Sequence, residues 1–290
     1  MGYGNRNSRG AASLDYRKFI NKAAPIEEAE SFVPENSFAD FAVSAELKQN
    51  ILSRGYSSPT PIQDKSIPVV LEGKDIVGIA NTGTGKTAAF LIPLIDKVLK
   101  NRKENVLIMP PTREPATQIH EALRTFLPGL GIYSACCVGG APIGRQISDL
   151  RRRHNFVIGT PGRLKDLMER KFLDLSGFKT VVLDEADRML DMGFIDDMRF
   201  MLAKMPVKRH TLFFSATISR AIESLISEFL TEPVRISVKT RDTAASIDQD
   251  VVRVGREQNK IDVLHDLLIS GELSKVLIFG KTKHGVESLS

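Results

Sequence analysis

From Asp75 onward the apolar positions fall into short runs rich in β-branched residues: "DIVGIA", "NVLIMP", "IYSACCV", "FVIGT", "TVVLD", "HTLFFSA" and "VRISV". Between them lie segments with helical spacing, among them 87–99, 117–127, 162–169 and 220–230. The runs are apolar on both faces rather than alternating. A strand of that kind is covered on both sides, so the pattern predicts an α/β fold with a parallel sheet between two helical layers. Ligands on such sheets sit outside the carboxyl ends of the strands.

The pattern loosens at "KTRDTAASID", which reads as a linker. A second unit then begins with strand "QDVVRV", helix "NKIDVLHDLLIS" and strand "KVLIFG". One βαβ is too little to close a sheet, so the sequence is expected to stop inside this unit at Ser290. The first thirty or so residues carry Gly, Asn, Arg and Ser with no sustained period and read as a flexible, solvated tail.

Composition narrows the classes. Of 290 residues, 42% are apolar, enough for a sizeable core. The net charge of +5 admits an anionic partner without requiring one. Cys136 and Cys137 are adjacent and alone, so no disulfide framework or zinc spacing can be built. No apolar run approaches the ~20 residues of a membrane span, and the start lacks a signal peptide's apolar region. The expectation is a soluble, cytoplasmic protein without membrane contact.

Chemistry enters at "ANTGTGKT", Ala80, Asn81, Thr82, Gly83, Thr84, Gly85, Lys86 and Thr87, between a strand and a helix. Ala80 stands where the strict phosphate-loop pattern has its first Gly. Gly83 and Gly85 still let the backbone curl its N–H groups around an anion at the helix start. Lys86 is suited to reach the β and γ phosphates, and the Thr87 hydroxyl to bind magnesium. This predicts a nucleotide with Mg²⁺ as cofactor. It also explains the three carboxylates that follow the apolar run 181–183. Asp184 is suited to hold the metal and Glu185 to orient and deprotonate an attacking water, with Asp187 beside them.

"DEAD", Asp184 to Asp187, resembles the motif that names the DEAD-box ATP-dependent RNA helicases, and the likeness extends over nearly all of the patterned chain. "GYSSPTPIQ" resembles their adenine-sensing Q motif, ending in Gln63, with Phe38 in the position of its upstream aromatic. "PPTREPATQ" is similar to the first RNA-contacting motif, "VGG" to the paired-glycine motif and "TPGRL" to the next RNA contact. "SAT" is similar to the element that couples ATP to RNA, and "LIFGKTK" to the opening of the second domain.

The resemblance implies a RecA-like P-loop NTPase domain followed by the start of a second RecA-like domain. It divides the chain into a basic tail (1–35), the Q-motif region (36–64), the ATP-binding domain (65–238), a linker (239–248) and an incomplete second domain (249–290). It implies adenine contacts from Gln63 and Phe38, and contacts to the phosphate backbone of single-stranded or duplex RNA from Pro111, Thr112, Arg113, Gly139, Gly140, Thr160, Pro161, Gly162 and Arg163. It implies coupling through Ser215, Ala216 and Thr217, with Ser215 and Thr217 bonded to Asp187, in a monomer binding ATP and ADP.

Two departures matter. Pro115 stands where similar proteins carry Leu; it is expected to push Glu114 from the α region and to shift Thr112 and Arg113. The arginines that such helicases supply from their second domain are missing, so this chain is expected to bind ATP but hydrolyse it poorly, without unwinding. The alternatives are an ATP-gated RNA clamp with little turnover and a DNA translocase; the second is disfavoured by Gln63 and the acidic quartet. "NKID" at 259–262 fits a guanine pattern, yet here it opens a helix.

Overall fold

The sequence pattern becomes structure where strands can be covered on both faces. A computed structural model describes Ile20, residues 32–238, 247–255, 257–270, 273–287 and Leu289. Most of the tail expected over 1–35 and of the linker expected over 239–248 lies outside the described residues. The chain divides into two units, Ala29–Arg241 and the remainder.

The larger unit opens with α1 (Ala45–Ser53) and α2 (Pro61–Leu71). Then strands and helices alternate: β1 (Ile76–Ile79), α3 (Lys86–Lys100), β2 (Val106–Met109), α4 (Arg113–Phe126), β3 (Ser134–Cys137), α5 (Ile143–Arg151), β4 (Phe156–Gly159) and α6 (Pro161–Glu169). The unit continues with β5 (Thr180–Leu183), α7 (Ala186–Asp191), α8 (Ile195–Leu202), β6 (His210–Ser215), α9 (Arg220–Phe229) and β7 (Val234–Ser237).

All seven strands pair in parallel in the order β3-β4-β2-β5-β6-β1-β7. Alternate residues of every strand but β7 feed two separate cores. Ile76, Ile108, Val182 and Phe214 pack under α1 to α4, while Val77, Leu107, Val181 and Phe213 pack under α6 to α9. The Phe90 and Phe214 rings meet at 5.5 Å, and burying each is worth ~1.5–3 kcal/mol. The helices named from the sequence are present with shifted ends; in the larger unit α1, α2, α5, α7 and α8 are additional.

Pro115 is the clearest local correction. It sits in the first turn of α4, where an N–H has no partner to lose. Glu114 is helical, and Ala116 N donates to Thr112 O at 3.3 Å. The helix therefore starts before the proline, and Glu114 is not driven from the α region. Cys136 and Cys137 lie in β3 as free thiols, raised by burial to about 11 and about 12. No metal-holding group of His, Cys, Asp and Glu, and no helix long and apolar enough to cross a membrane, occurs among the described residues.

The second unit contains α10 (Lys260–Ser270) and α11 (Lys283–Glu287). The strands expected at "QDVVRV" and "KVLIFG" do not form. Leu277 and Phe279 are 77% and 87% exposed, and α10 buries none of its residues. Gln249 makes an isolated bridge, and beyond it neither segment gains a paired strand among the described residues.

At the amino edge of the sheet the Lys97 ammonium donates to Thr180 Oγ1 at 2.6 Å, lies 3.3 Å from Glu104 Oε1 and 3.5 Å from His210 Nδ1. Thr180 in turn donates to Glu104 at 2.7 Å. His210 Nε2 is 2.8 Å from Lys74 O, which can only accept, so Nε2 carries the proton and Nδ1 accepts from Lys97. Burial, with the Lys97 charge beside it, holds the imidazole below its usual range. An unfolded histidine takes up its proton near pH ~6.5 while the folded one resists, so stability falls as pH drops below that point. His210→Gln keeps a donor for Lys74 and an acceptor for Lys97. We expect it to reduce the stability lost between about pH 7.5 and about pH 5. Urea midpoints at both pH values test this; an unchanged loss would discount His210, leaving His120, also held low by burial, among other sources.

Candidate functional site

One half of the site is assembled by the neighbouring strands β5, β6 and β1. Ile79 pairs with Ser215 and Leu183 with Phe213, so the loops leaving these strands emerge side by side. After β1 the chain turns through Gly83 and Gly85, at φ 82° and 93°, into α3. A side chain at Gly85 would be strained and would place Cβ 2.4 Å from Gln63 Nε2. The loop is fixed from behind: Gln63 Nε2 donates to Gly85 O at 3.0 Å, and Gln63 Oε1 accepts from Thr60 N at 2.9 Å. Thr84 Oγ1 donates to Asn81 O at 2.8 Å. Ala80 is buried, its N bonded to Ser215 O at 3.1 Å; Thr82 is exposed, and Thr87 is half-buried in the first turn of α3.

Lys86 and Asp184 face each other across this loop with 4.0 Å between Nζ and Oδ1, both side chains under a tenth exposed. Burial pushes the Asp184 carboxyl up to about 6, with Glu185 and Asp187 adding to the rise and Lys86 opposing it. A buried carboxylate held by one ammonium at that distance is short of positive charge. The donor set therefore fits a hard cation such as magnesium beside a phosphate. The same cluster fits ATP: a curled glycine loop, a helix start and a lysine around one space.

Glu185 is left-handed, at φ 53° and ψ 50°, and its N–H donates to Asp184 Oδ1 at 3.0 Å. A non-glycine residue held there costs ~1–3 kcal/mol and turns the carboxylate out of the strand direction. Arg188 Nη1 lies 3.3 Å from Glu185 Oε2, an interaction the sequence did not announce. Asp187 Oδ2 accepts from Ala216 N at 3.2 Å, Thr217 N at 3.0 Å and Thr217 Oγ1 at 3.0 Å. The expected link to Ser215 is absent, because the Ser215 hydroxyl donates to Thr217 O at 2.8 Å.

Two expectations for the base side change. Phe38 is 1% exposed and packs edge-on against Phe41 and Tyr56, so it offers no ring face for stacking. Gln63 is 4% exposed and spends its oxygen and one amide proton on the protein. What remains for a base is the second amide proton.

The other half is built by β2, β4 and β3. Pro111, Thr112, Arg113, Gly139, Thr160, Gly162 and Arg163 line one groove of about 470 Å³. Gly140 adjoins it, its carbonyl accepting from Arg113 Nη1 at 3.4 Å, and its φ of 72° suits glycine. Pro161 is buried at the first position of α6. Asp166, Met192 and Phe194 complete the lining and were not anticipated. Gln146 was missed too: it is buried, donates to Val138 O at 3.0 Å, and accepts from Arg163 Nη1 at 3.0 Å. A lone Gln inside an amphipathic helix gives no sequence signal of this role.

The DEAD/DEAH box helicase family model matches residues 60–225. An RNA helicase of Synechocystis, CrhR, is 41% identical over 256 residues, 88% of this chain and 52% of that protein. Among solved structures, a DEAD box protein from Methanococcus jannaschii superposes with a TM-score of 0.68 at 35% identity, covering 89% of this chain and 69% of that one. A hypothetical ATP-dependent RNA helicase from Sulfolobus tokodaii superposes with a TM-score of 0.62 at 38% identity, covering 67% of this chain and 56% of that one. The chain thus spans about half the length of the curated relative CrhR. A family model that covers more than half of these residues, over the same strand ends that carry both halves of the site, establishes that the chain belongs to the DEAD/DEAH box helicase family.

Proposed function

We propose that this chain is the nucleotide-driven part of an ATP-dependent RNA helicase. It binds ATP at the β5–β6–β1 edge and the phosphate backbone of RNA in the β3–β4–β2 groove. The observation that carries this reading is that both halves open on one sheet edge, with Asp187 tying the loop after β5 to the loop after β6. Magnesium, bound with ATP, supplies positive charge against the phosphate oxygens.

In this reading Lys86 and the curled 80–87 backbone hold the phosphates, and Asp184 and Thr87 hold the metal. Glu185 orients the attacking water and takes its proton. Release of Arg188 frees that carboxylate for the task. Asp187 responds to the nucleotide and repositions Ala216 and Thr217. Arg113, Arg163, Thr160 and the glycine N–H groups hold phosphates without reading bases, which suits single-stranded RNA or one strand of a duplex. Gln63 acts on the base with its free amide proton and on the phosphates through Gly85. The chain works as a monomer in the cytoplasm and turns ATP over slowly by itself, because the charge-stabilising arginines of the resemblance belong to a further domain. A clamp with little turnover is the second reading, and the intact Glu185 weighs against it.

Binding of ADP, ATP and GTP in the presence of magnesium tests the nucleotide half. Adenine nucleotides should bind in preference to GTP. Gln63→Ala should weaken ATP binding by about tenfold, equivalent to ~1.4 kcal/mol, by releasing Gly85 and the base together. Binding that ignores both the base and the substitution would sink the reading of Gln63.

Glu185→Gln separates holding from hydrolysis. Loss of a general base is worth ~10²–10⁴ in rate, so single-turnover hydrolysis should fall by that order while ATP and RNA binding persist. Unchanged hydrolysis would remove Glu185 from the chemistry.

A further inference from the structure

Beyond the groove, the two helices that flank it end together in a surface of unusual charge. At the carboxyl end of α5 stand Arg151, Arg152 and Arg153, all exposed; Lys171, just past α6, is exposed as well. None of these four enters an ion pair among the described residues. The Arg151 guanidinium lies 5.7 Å over the ring of Phe172, which is itself 37% exposed. That ring is not a loose side chain. Lys171 is left-handed at φ 62°, and the backbone N–H groups of Lys171 and Phe172 bond back to Met168 O and Leu167 O at 2.9 Å each. The turn fixes an aromatic platform with a cation on it, next to three uncompensated charges.

The surface is continuous with the groove along one helix face. Arg163 lines the groove, and Arg170 lies two turns further along α6, about 10 Å at 1.5 Å per residue. Asp166 bridges them, with its oxygens 3.8 Å from Arg163 Nε and 2.6 Å from Arg170 Nε. That carboxylate is engaged with both and makes no ion pair with the four other cations. Arginine with an exposed ring is the combination that takes a phosphate and a stacked base together; an acidic peptide would use the charges and leave the ring idle.

We propose that Arg151, Arg152, Arg153 and Phe172 form a second RNA-contacting surface, which takes the stretch of strand flanking the segment held in the groove. The inference rests on the RNA reading of the groove and extends it. It makes the RNA footprint longer than the groove and places length dependence and salt dependence on residues outside the matched motifs.

The test compares two fluorescent oligouridines by anisotropy, one of roughly six nucleotides for the groove alone and one of roughly fifteen. Arg151→Gln/Arg152→Gln/Arg153→Gln should leave the shorter oligomer's affinity unchanged. It should weaken the longer one about tenfold or more and lower its log–log salt slope by about 1.5–2, as loss of two or three phosphate contacts at ~0.7 each predicts. The triple Lys variant at the same positions, which keeps charge, should retain the salt slope. Phe172→Ala should weaken the longer oligomer without changing the slope.

Undiminished binding of the longer oligomer by a Gln variant that melts like wild type overturns the proposal and leaves the patch to another partner. So does equal weakening of both lengths, or loss of slope in the Lys variant. If wild type binds only the longer oligomer, and the Gln variant loses it, the groove reading fails and the surface stands. If wild type binds neither, both fall.

Discussion

All seven strands run in one direction, and that constraint decides where chemistry can occur. Strands buried on both faces can carry few unpaired polar side chains, since each costs on the order of 1–3 kcal/mol; the Thr211 hydroxyl in β6 is one that is carried without a partner. β1, β2, β4, β5 and β6 are accordingly buried throughout. The functional groups are displaced to the loops at the carboxyl edge, where the following helices start and point free N–H groups outward. Strand order then sorts them. The phosphate loop, the acidic quartet and the 215–217 loop leave β1, β5 and β6, which are neighbours. Most groove residues leave β2, β3 and β4, which are neighbours on the other side of β5, while Met192 and Phe194 come from the segment after α7.

The bonding around Asp187 follows from the same geometry. Asp187 belongs to the helix after β5 but bonds to the loop after β6, and one carboxylate oxygen serves three donors. Asp184 and Glu185 precede it by only a few bonds, and the backbone at Glu185 is left-handed. The sequence placed these residues in a row. Only the fold shows that Ala216 and Thr217, and not Ser215, bond to Asp187.

Legibility tracked how local the cause was. The curled loop at 80–87 could be read because its conformation depends on Gly83, Gly85 and the following helix, all contiguous. The fold class was readable because two-sided burial is written in each strand. Arg113, Gly139, Thr160 and Arg163 lie up to fifty residues apart, and local pattern alone gave no reason to group them; the family resemblance did so, and parallel register brings them to one groove. Phe38 and Gln63 were misjudged for a shared reason. Each has a side chain able to meet a base, but burial and internal bonding claimed Phe38 entirely and Gln63 in large part. Pro115 was misjudged in the opposite direction: the first turn of a helix asks nothing of an amide nitrogen, so α4 simply begins ahead of it.

The second unit shows what pattern alone cannot do. Its helix and its two expected strands were read with the same rules, and only α10 forms. A helix closes its hydrogen bonds within itself, four residues apart, so it can exist before its apolar face is covered. A strand has no such internal closure; its N–H and C=O groups wait for a partner, and its side chains for a layer to pack on. Val276, Leu277, Ile278 and Phe279 keep the composition of a buried strand while between 38% and 87% of each remains exposed. In the larger unit, runs of the same kind become strands because each finds a neighbour in register and a helix on either side. The difference between the two units therefore lies not in how strand-like the segments are but in whether the tertiary contacts that strands require are present.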